Sequence, residues 1–232
     1  MAIVVRSHRL SPAFFVVSTE VDNEQLATLN LSPGVSVYGE RLIACEGREY
    51  RIWDPFRSKL AAAVLNGIKG FPLASGMRVL YLGSATGTTA SHVSDIVGED
   101  GCVYCVDFAP RSMRDFLGNV SQYRSNVFPI LADARFPESY AFLVGGVDGI
   151  YCDVAQPEQA KLLSENARVF LPDGGWAMLA IKARSIDVVR DPSAIFEEEL
   201  DLLRKNGFVI LDSIRLDPYD KAHAMVLSQY GS

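Results

Sequence analysis

The residues that invite a chemical reading sit at the ends of apolar runs. Gly83-Ser84-Ala85-Thr86-Gly87 directly follows Val79-Leu80-Tyr81-Leu82 and precedes a helical stretch, Thr88–Val97. Glycines at that spacing let the backbone pass close to a ligand, and a helix that starts there offers free N–H groups. The segment lacks the lysine of a P-loop, the full G-x-G-x-x-G of a dinucleotide fold and the central serine of a G-x-S-x-G elbow. Alone it reads equally as a tight βα turn. The next run, Val103-Tyr104-Cys105-Val106, closes on Asp107. An acid about 20 residues beyond the glycine turn accepts hydrogen bonds from ribose hydroxyls. Phe108 beside it can flank an adenine ring. The third run ends on Asp133-Ala134 and the fourth on Asp153-Val154-Ala155-Gln156. One such acid is usually a cap; polar groups on four successive strand ends describe a binding cleft at one rim.

Lysines supply the remaining chemistry. Lys182 closes Trp176-Ala177-Met178-Leu179-Ala180-Ile181, where an ammonium is costly unless it points out at the rim. Lys59 follows Arg57 on the first helix and also suits a solvated face. His223, in Lys221-Ala222-His223-Ala224-Met225, also suits a structural role; His8 and His92 have no comparable setting. Cys102 and Cys105 form C-x-x-C inside a strand, so they face opposite sides and share neither metal nor bridge. With Cys45 and Cys152 they are too few and too scattered for a disulfide scaffold. Glu197-Glu198-Glu199 reads as a solvated helix face near its N-terminus.

The elements that must position these groups follow from the patterning. Hydrophobic residues make up 49% and charged residues 22% of the 232 residues, which suits one large α/β domain with a small appendage. Residues 1–53 read as a small antiparallel β domain, with strands at 3–6, 13–18, 25–29, 35–38, 42–45 and 49–53. Turn chemistry at Ser11-Pro12, Asp22-Asn23, Ser32-Pro33-Gly34, Gly39 and Glu46-Gly47 separates them. Residues 54–232 form the second domain. Asp54 reads as the N-cap and Pro55 as the first residue of a helix that Gly70 and Pro72 end. Apolar runs at 77–82, 102–107, 127–132, 147–153 and 176–182 then alternate with helices at 88–97, 110–120, 156–170 and 194–206. Runs 208–216 and 222–227 are joined by Asp217-Pro218-Tyr219-Asp220, a link short enough for a hairpin. The expected fold is a doubly wound, mostly parallel, seven-stranded Rossmann-like α/β sheet with an antiparallel edge hairpin.

Charge and hydropathy narrow the setting. No apolar run reaches the ~18 residues of a membrane span. The first ten residues carry Arg6 and Arg9 without an apolar core behind them, so no secretory signal is read and a cytoplasmic protein is expected. The net charge is −6, whereas a chain that grips nucleic acid unaided is usually basic. Any nucleic-acid role needs a basic partner or a local basic face, for which Arg57, Lys59, Arg135, Lys182 and Arg184 are the candidates.

Five runs resemble one known family. Trp53-Asp54-Pro55-Phe56-Arg57-Ser58-Lys59, Tyr81-Leu82-Gly83-Ser84-Ala85-Thr86-Gly87-Thr88-Thr89, Asp133-Ala134-Arg135-Phe136-Pro137, Asp153-Val154-Ala155-Gln156-Pro157 and Ala180-Ile181-Lys182-Ala183-Arg184-Ser185 look like fibrillarin in its archaeal form, over residues 35–230. The resemblance implies an S-adenosyl-L-methionine-dependent 2′-O-methyltransferase of rRNA and tRNA. It implies work in a box C/D guide RNA particle, with a Nop5-type scaffold protein and the ribosomal-type protein L7Ae as partners. It also implies that the turn of Gly83 and Gly87, then Thr88, Thr89, Asp107, Phe108, Asp133, Ala134, Asp153, Val154, Ala155 and Gln156, line the cofactor site. The family's Lys-Asp-Lys-His tetrad falls on Lys59, Asp153, Lys182 and His223, and no metal is implied. Asp107 stands where the family usually carries Glu, and Ser84 and Thr86 where smaller residues are commoner.

Methyl transfer to a ribose hydroxyl is an in-line displacement that needs the hydroxyl aligned and its proton removed. A lysine does this when part of it is neutral, and a neighbouring cation promotes that form. Lys182 is read as the base, Asp153 as its orienting partner, and Lys59 and His223 as groups that set the electrostatics and hold the ribose. Two other readings stand beside this one. A non-catalytic scaffold would lack a suitable cofactor lining. A nicotinamide dehydrogenase is disfavoured by G-x-x-x-G and by two rim lysines without a hydride-accepting partner.

Overall fold

The computed structural model describes residues 3–19 and 24–231; the expected Asp22-Asn23 turn lies outside them. The chain opens with β1 (Val4–His8), β2 (Ser11–Ser18), β3 (Gln25–Leu29), β4 (Leu42–Cys45) and β5 (Arg48–Ile52). They pair antiparallel in the order β1-β2-β3-β5-β4. Alternation along β2 serves both faces. Phe14 and Val16 join Leu26 and Trp53 in a core shared with the rest of the chain, while Val17 faces a smaller cluster with Ala27, Ile43, Tyr50 and Ile52. The run 35–38 is not a strand. The Glu40 carboxylate accepts from Val37 N at 3.0 Å and Tyr38 N at 2.8 Å, which takes those amides out of any ladder.

The first helix also starts later than its Asp-Pro opening suggests. The Asp54 carboxylate accepts from Phe56 N at 2.8 Å and the Asp54 carbonyl from Arg57 N at 3.1 Å, closing a separate turn. Helix α1 (Lys59–Leu65) is capped by Ser58, whose Oγ accepts from Ala61 N at 3.4 Å. It ends before Asn66 and the left-handed Gly67 (φ +90°), well short of Gly70.

Strands and helices then alternate: β6 (Arg78–Leu82), α2 (Thr88–Val97), β7 (Cys102–Asp107), α3 (Pro110–Asn119), β8 (Val127–Leu131), β9 (Gly149–Cys152), α4 (Gln159–Phe170) and β10 (Trp176–Lys182). The chain finishes with a single helical turn, α5 (Ala183–Ile186), then α6 (Pro192–Lys205), β11 (Phe208–Arg215) and β12 (His223–Tyr230). The sheet order is β11-β12-β10-β9-β6-β7-β8, with only the two β12 pairings antiparallel. Both faces are covered, by one core with Val79, Tyr81 and Tyr151 and another with Leu80, Leu82 and Ile150. That is why the central strands read as unbroken apolar runs. The chain leaves β6 for β7 on one side and later returns to its other side as β9, so the carboxyl ends of β6 and β9 flank a topological switch point.

Helix α4 begins at Gln159 rather than 156 because its first turn is capped from outside. Glu199 of α6 is buried, and its Oε2 accepts from Ala160 N at 2.7 Å. Glu199 is therefore not part of a solvated face. Burial pushes its carboxyl above the usual range, against the pull of that amide.

Charge is also buried where the first sheet meets α2. Arg51 is fully enclosed, donating to Glu40 Oε1 at 2.7 Å, Asp95 Oδ2 at 2.8 Å and Ser91 Oγ at 2.9 Å. Arg124 pairs with the other oxygen of Asp95. Two guanidiniums against two carboxylates leave no net charge inside, the condition under which buried ions are tolerable.

Candidate functional site

Gly83, at the end of β6, has φ +80°, and a Cβ there would stand 2.8 Å from the Asp153 carbonyl oxygen. Only glycine lets the ends of β6 and β9 approach this closely. Gly87 (φ +97°) begins α2 and is closed over by Val120 and Phe116. Asp107, the last residue of β7, spans the turn: Oδ2 accepts from Ala85 N at 2.8 Å and Oδ1 from Ala109 N at 2.9 Å. These bonds fix the carboxylate at the rim and leave it further lone pairs. Phe108 beside it is 62% exposed, a ring with an open face. Asp133 is gripped by Arg135, whose hydrogen bond holds the carboxyl below its ordinary value.

These ends surround a cleft of about 270 Å³. Gly83, Asp107, Phe108, Asp133, Ala134, Asp153, Val154, Ala155, Gln156 and Lys182 line it together. Gly87, Thr88 and Thr89 do not. Thr89 is buried and its hydroxyl donates to Ser58 Oγ at 3.0 Å. Lys59 and His223 are not in the cleft lining either. A larger hollow of about 480 Å³, near Tyr38, Arg41, Asp54 and Phe56, contains none of these strand-end groups. The smaller cleft carries the chemistry: an acid able to take ribose hydroxyls, a free aromatic face, apolar walls and a cation at one end. That set fits a nucleoside-bearing cofactor with a reactive group directed toward Lys182.

The reacting end is an ion cluster. Lys182 Nζ donates to the Asp153 carbonyl at 2.7 Å and lies 2.8 Å from Asp153 Oδ1. Lys59 Nζ reaches the same carboxylate, 3.2 Å from Oδ1 and 3.4 Å from Oδ2. The antiparallel register of β10 and β12 sets His223 directly opposite Lys182. The structure thus brings Lys59, Asp153, Lys182 and His223 to one place from four separate elements.

Three further residues complete this end, and sequence reading passed over them. Asp220 lies 3.6 Å from Lys59 Nζ through Oδ2 and 2.8 Å from His223 Nδ1 through Oδ1. Gln159, fully buried at the start of α4, accepts from Lys182 N at 2.8 Å and donates to the Lys182 carbonyl at 3.2 Å. Ser58 gathers Trp53 Nε1 at 2.9 Å and the Thr89 hydroxyl at 3.0 Å while capping α1, which ties the start of α1, and so Lys59, to the start of α2. Asp220 carried a signal, an acid three positions before a candidate histidine. Gln159 carried none, since an amide in an amphipathic helix is unremarkable before its burial is known.

Electrostatics follow from this packing. Burial alone would lower the Lys59 pKa, but Asp153 and Asp220 outweigh it and hold the ammonium above the ordinary lysine value. Burial likewise opposes ionisation of Asp220, yet His223 and Lys59 bring its carboxyl below the usual range. Burial also pushes the neighbouring Cys152 thiol up to about 12, so it stays neutral. Of the expected basic face, Arg57 is exposed over the Tyr38 ring and Arg184 is exposed with its guanidinium on the Val188 carbonyl, while Arg135 is tied to Asp133. Among the described residues, no helix is long and apolar enough to cross a membrane.

A family model described as Fibrillarin matches residues 5–232. The chain is 54% identical over 228 residues to the fibrillarin-like rRNA/tRNA 2′-O-methyltransferase of Pyrobaculum calidifontis, covering 98% of this chain and 97% of that protein. The crystal structure of Aeropyrum pernix fibrillarin in complex with natively bound S-adenosyl-L-methionine superposes with a TM-score of 0.91 at 53% identity, covering 98% and 99% of the two chains. A chain from a fibrillarin/Nop5p complex superposes with a TM-score of 0.81 at 38% identity, covering 89% of this chain and 94% of that one.

Proposed function

The chain belongs to the fibrillarin family, and from that premise we propose that it is an S-adenosyl-L-methionine-dependent RNA 2′-O-methyltransferase. Its substrates are rRNA and tRNA, and it is the catalytic subunit of a box C/D guide RNA particle. The observation that carries this reading is the Lys182–Asp153–Lys59 ion cluster, set beside a cleft lined by Asp107 and Phe108. A pure scaffold would not need both.

In this reading Asp107 takes the cofactor's ribose hydroxyls, Phe108 and the apolar walls at Ala134 and Val154 flank its base, and Asp133 and Gln156 supply polar edges. Gly83 and Gly87 keep the turn open, and Thr88 and Thr89 anchor the start of α2. The cofactor, when bound, supplies a sulfonium methyl open to in-line attack by oxygen. The chain's own groups do the rest. Lys59 and His223 hold the delivered ribose. Asp153 fixes Lys182 through both its carboxylate and its carbonyl, so that Nζ faces the 2′-hydroxyl with one position free. Lys182 takes the hydroxyl proton as carbon–oxygen bonding begins, the general-base step that the transfer needs. Asp153 cannot do this alone, because two lysines already claim it.

We further read residues 1–53 as a small β domain ahead of a methyltransferase domain at 54–232, and the protein as cytoplasmic. A Nop5-type scaffold, L7Ae and the guide RNA present the substrate. The acidic balance of the chain supports this division of labour, since phosphate neutralisation supplies most non-specific RNA affinity. The test is reconstitution at near-physiological salt with S-adenosyl-L-methionine, guide RNA, scaffold and L7Ae, each omitted in turn. Methyl transfer at the guided ribose is expected only from the complete set. No transfer from the complete set defeats the enzymatic reading; full activity from the chain alone defeats the claim that partners deliver the RNA.

A further inference from the structure

Asp220 stands between two groups that the transfer site uses and has no part in the cofactor cleft. It comes from the short link between β11 and β12, whose amides at Tyr219 and Asp220 bond back to the Leu216 carbonyl at 2.9 and 3.0 Å. The carboxylate is thereby held on a closed turn rather than a free loop. Its two oxygens have separate duties: Oδ2 faces Lys59 and Oδ1 faces His223 Nδ1.

The histidine contact has a definite chemical meaning. His223 Nδ1 lies 2.8 Å from Asp220 Oδ1 and 2.8 Å from the Lys221 carbonyl oxygen. Both are acceptors, so Nδ1 must carry the hydrogen. In the neutral ring Nε2 is then the free acceptor. The lysine contact has an equally plain consequence. Asp153 alone would face two ammoniums; with Asp220 the cluster has a second carboxylate for the second lysine.

We propose that Asp220 is a positioning residue of the methyl-transfer site, one that fixes the His223 imidazole with its hydrogen on Nδ1 and shares Lys59 with Asp153, so that Asp153 stays committed to Lys182. This rests on the methyltransferase reading above. The charged and titratable groups around the cluster are Lys59, Lys182, Asp153 and His223, with Tyr81, Tyr151 and Cys152 kept neutral by burial.

The experiment uses the full chain, first free and then in the reconstituted particle. Nitrogen-15 spectra of the histidine-labelled wild type, taken where the ring is neutral, read the tautomer without any turnover. A hydrogen on Nδ1 of His223 is expected; a hydrogen on Nε2 overturns the proposal. In the particle, Asp220→Asn should lower kcat roughly 10–100-fold, the scale of losing a partner that orients a functional histidine. Its affinity for S-adenosyl-L-methionine should stay within about twofold, and the rise of rate with pH should move to lower pH, because a carboxylate that favoured the protonated cations is gone. Asp220→Glu should recover most of the rate and the wild-type profile. A wild-type rate and profile in Asp220→Asn overturns the proposal, as does equal impairment of the Asn and Glu variants with a matched loss of melting temperature. An inactive wild-type particle would instead count against the methyltransferase reading, with the tautomer still deciding the role of Asp220.

Discussion

At the scale of single residues, what was legible in the sequence was whatever broke a pattern. Lys182 ends an otherwise apolar strand and Asp107 ends another, and both lie at the cleft as their positions required. Residues whose importance comes from a partner far along the chain gave no such break. Gln159 clamps both backbone groups of Lys182 from a helix that begins after the cleft loop. Glu199 caps that helix from α6, although its neighbours Glu197 and Glu198 make it look like one more solvated acid. The proposed base can be tested at this scale. Lys182→Ala should lower single-turnover transfer roughly 10²–10⁴-fold, the range for a positioned base, with cofactor affinity changed far less. Lys182→Arg should be nearly as slow, because a guanidinium keeps the charge but does not surrender its proton. Stopped reactions in the assembled particle, read beside cofactor titration, decide it; a near-normal rate in either variant assigns proton removal to another group or to solvent.

At the scale of elements, the central sheet could be read because burial on both faces leaves unbroken apolar runs, and β7 and β10 begin and end where those runs do. Local polar bonding hid the rest. Glu40 takes the amides of the 35–38 run, and Asp54 closes its own turn, so neither a strand nor an early helix forms. The glycine turn was legible as a turn, but the reason for Gly83 was not, since the crowding group is the Asp153 carbonyl on a strand far along the chain. Gly83→Ala should therefore act on two levels. A left-handed backbone with a Cβ costs about 1–2 kcal/mol, and the Cβ also pushes the β9 end that carries Asp153. Stability should fall by about that much, and cofactor affinity by roughly tenfold or more, since 1.4 kcal/mol is a factor of ten. Gly146→Ala, where a Cβ meets nothing within 4 Å, is the control and should leave both unchanged. Titration calorimetry and denaturant unfolding of the two variants separate the outcomes, and normal cofactor binding by Gly83→Ala would show that the close approach of β6 and β9 is dispensable.

At the scale of the whole molecule, the first sheet is held to the methyltransferase sheet by apolar packing around Trp53 and by a polar joint that sequence reading left almost untouched. His92 lies inside that joint, fully buried and stacked on Trp53 at 5.3 Å. The Thr28 hydroxyl donates to Asp95 Oδ2 at 2.7 Å, so it accepts from His92 Nδ1, also at 2.7 Å; Nε2 lies 2.8 Å from the Tyr38 hydroxyl, which also reaches the Ile52 carbonyl at 3.1 Å. Both ring nitrogens are engaged, and burial, then Arg51 and Arg124, hold the pKa well below the ordinary value and so keep the ring neutral. The unfolded chain takes up a proton on His92 near pH ~6.5, whereas the folded chain does not until a much lower pH. The unfolded state therefore binds more protons in that window, and stability must fall as pH falls through it, by up to about 1.4 kcal/mol per pH unit. His8, whose pKa is lowered by partial burial and two arginines, adds a smaller effect of the same sign. Glu199, raised by burial, works in the opposite direction nearer the carboxylate range, so the slope is read above it. Urea unfolding midpoints between pH ~8 and ~5.5 should decline for the wild type, on the scale set by linkage. His92→Gln, neutral throughout, should be less stable at the upper end but much flatter across the window. A wild-type midpoint independent of pH there would mean that the joint opens to admit a charged ring, and that the two sheets are less firmly coupled than their buried ion network requires.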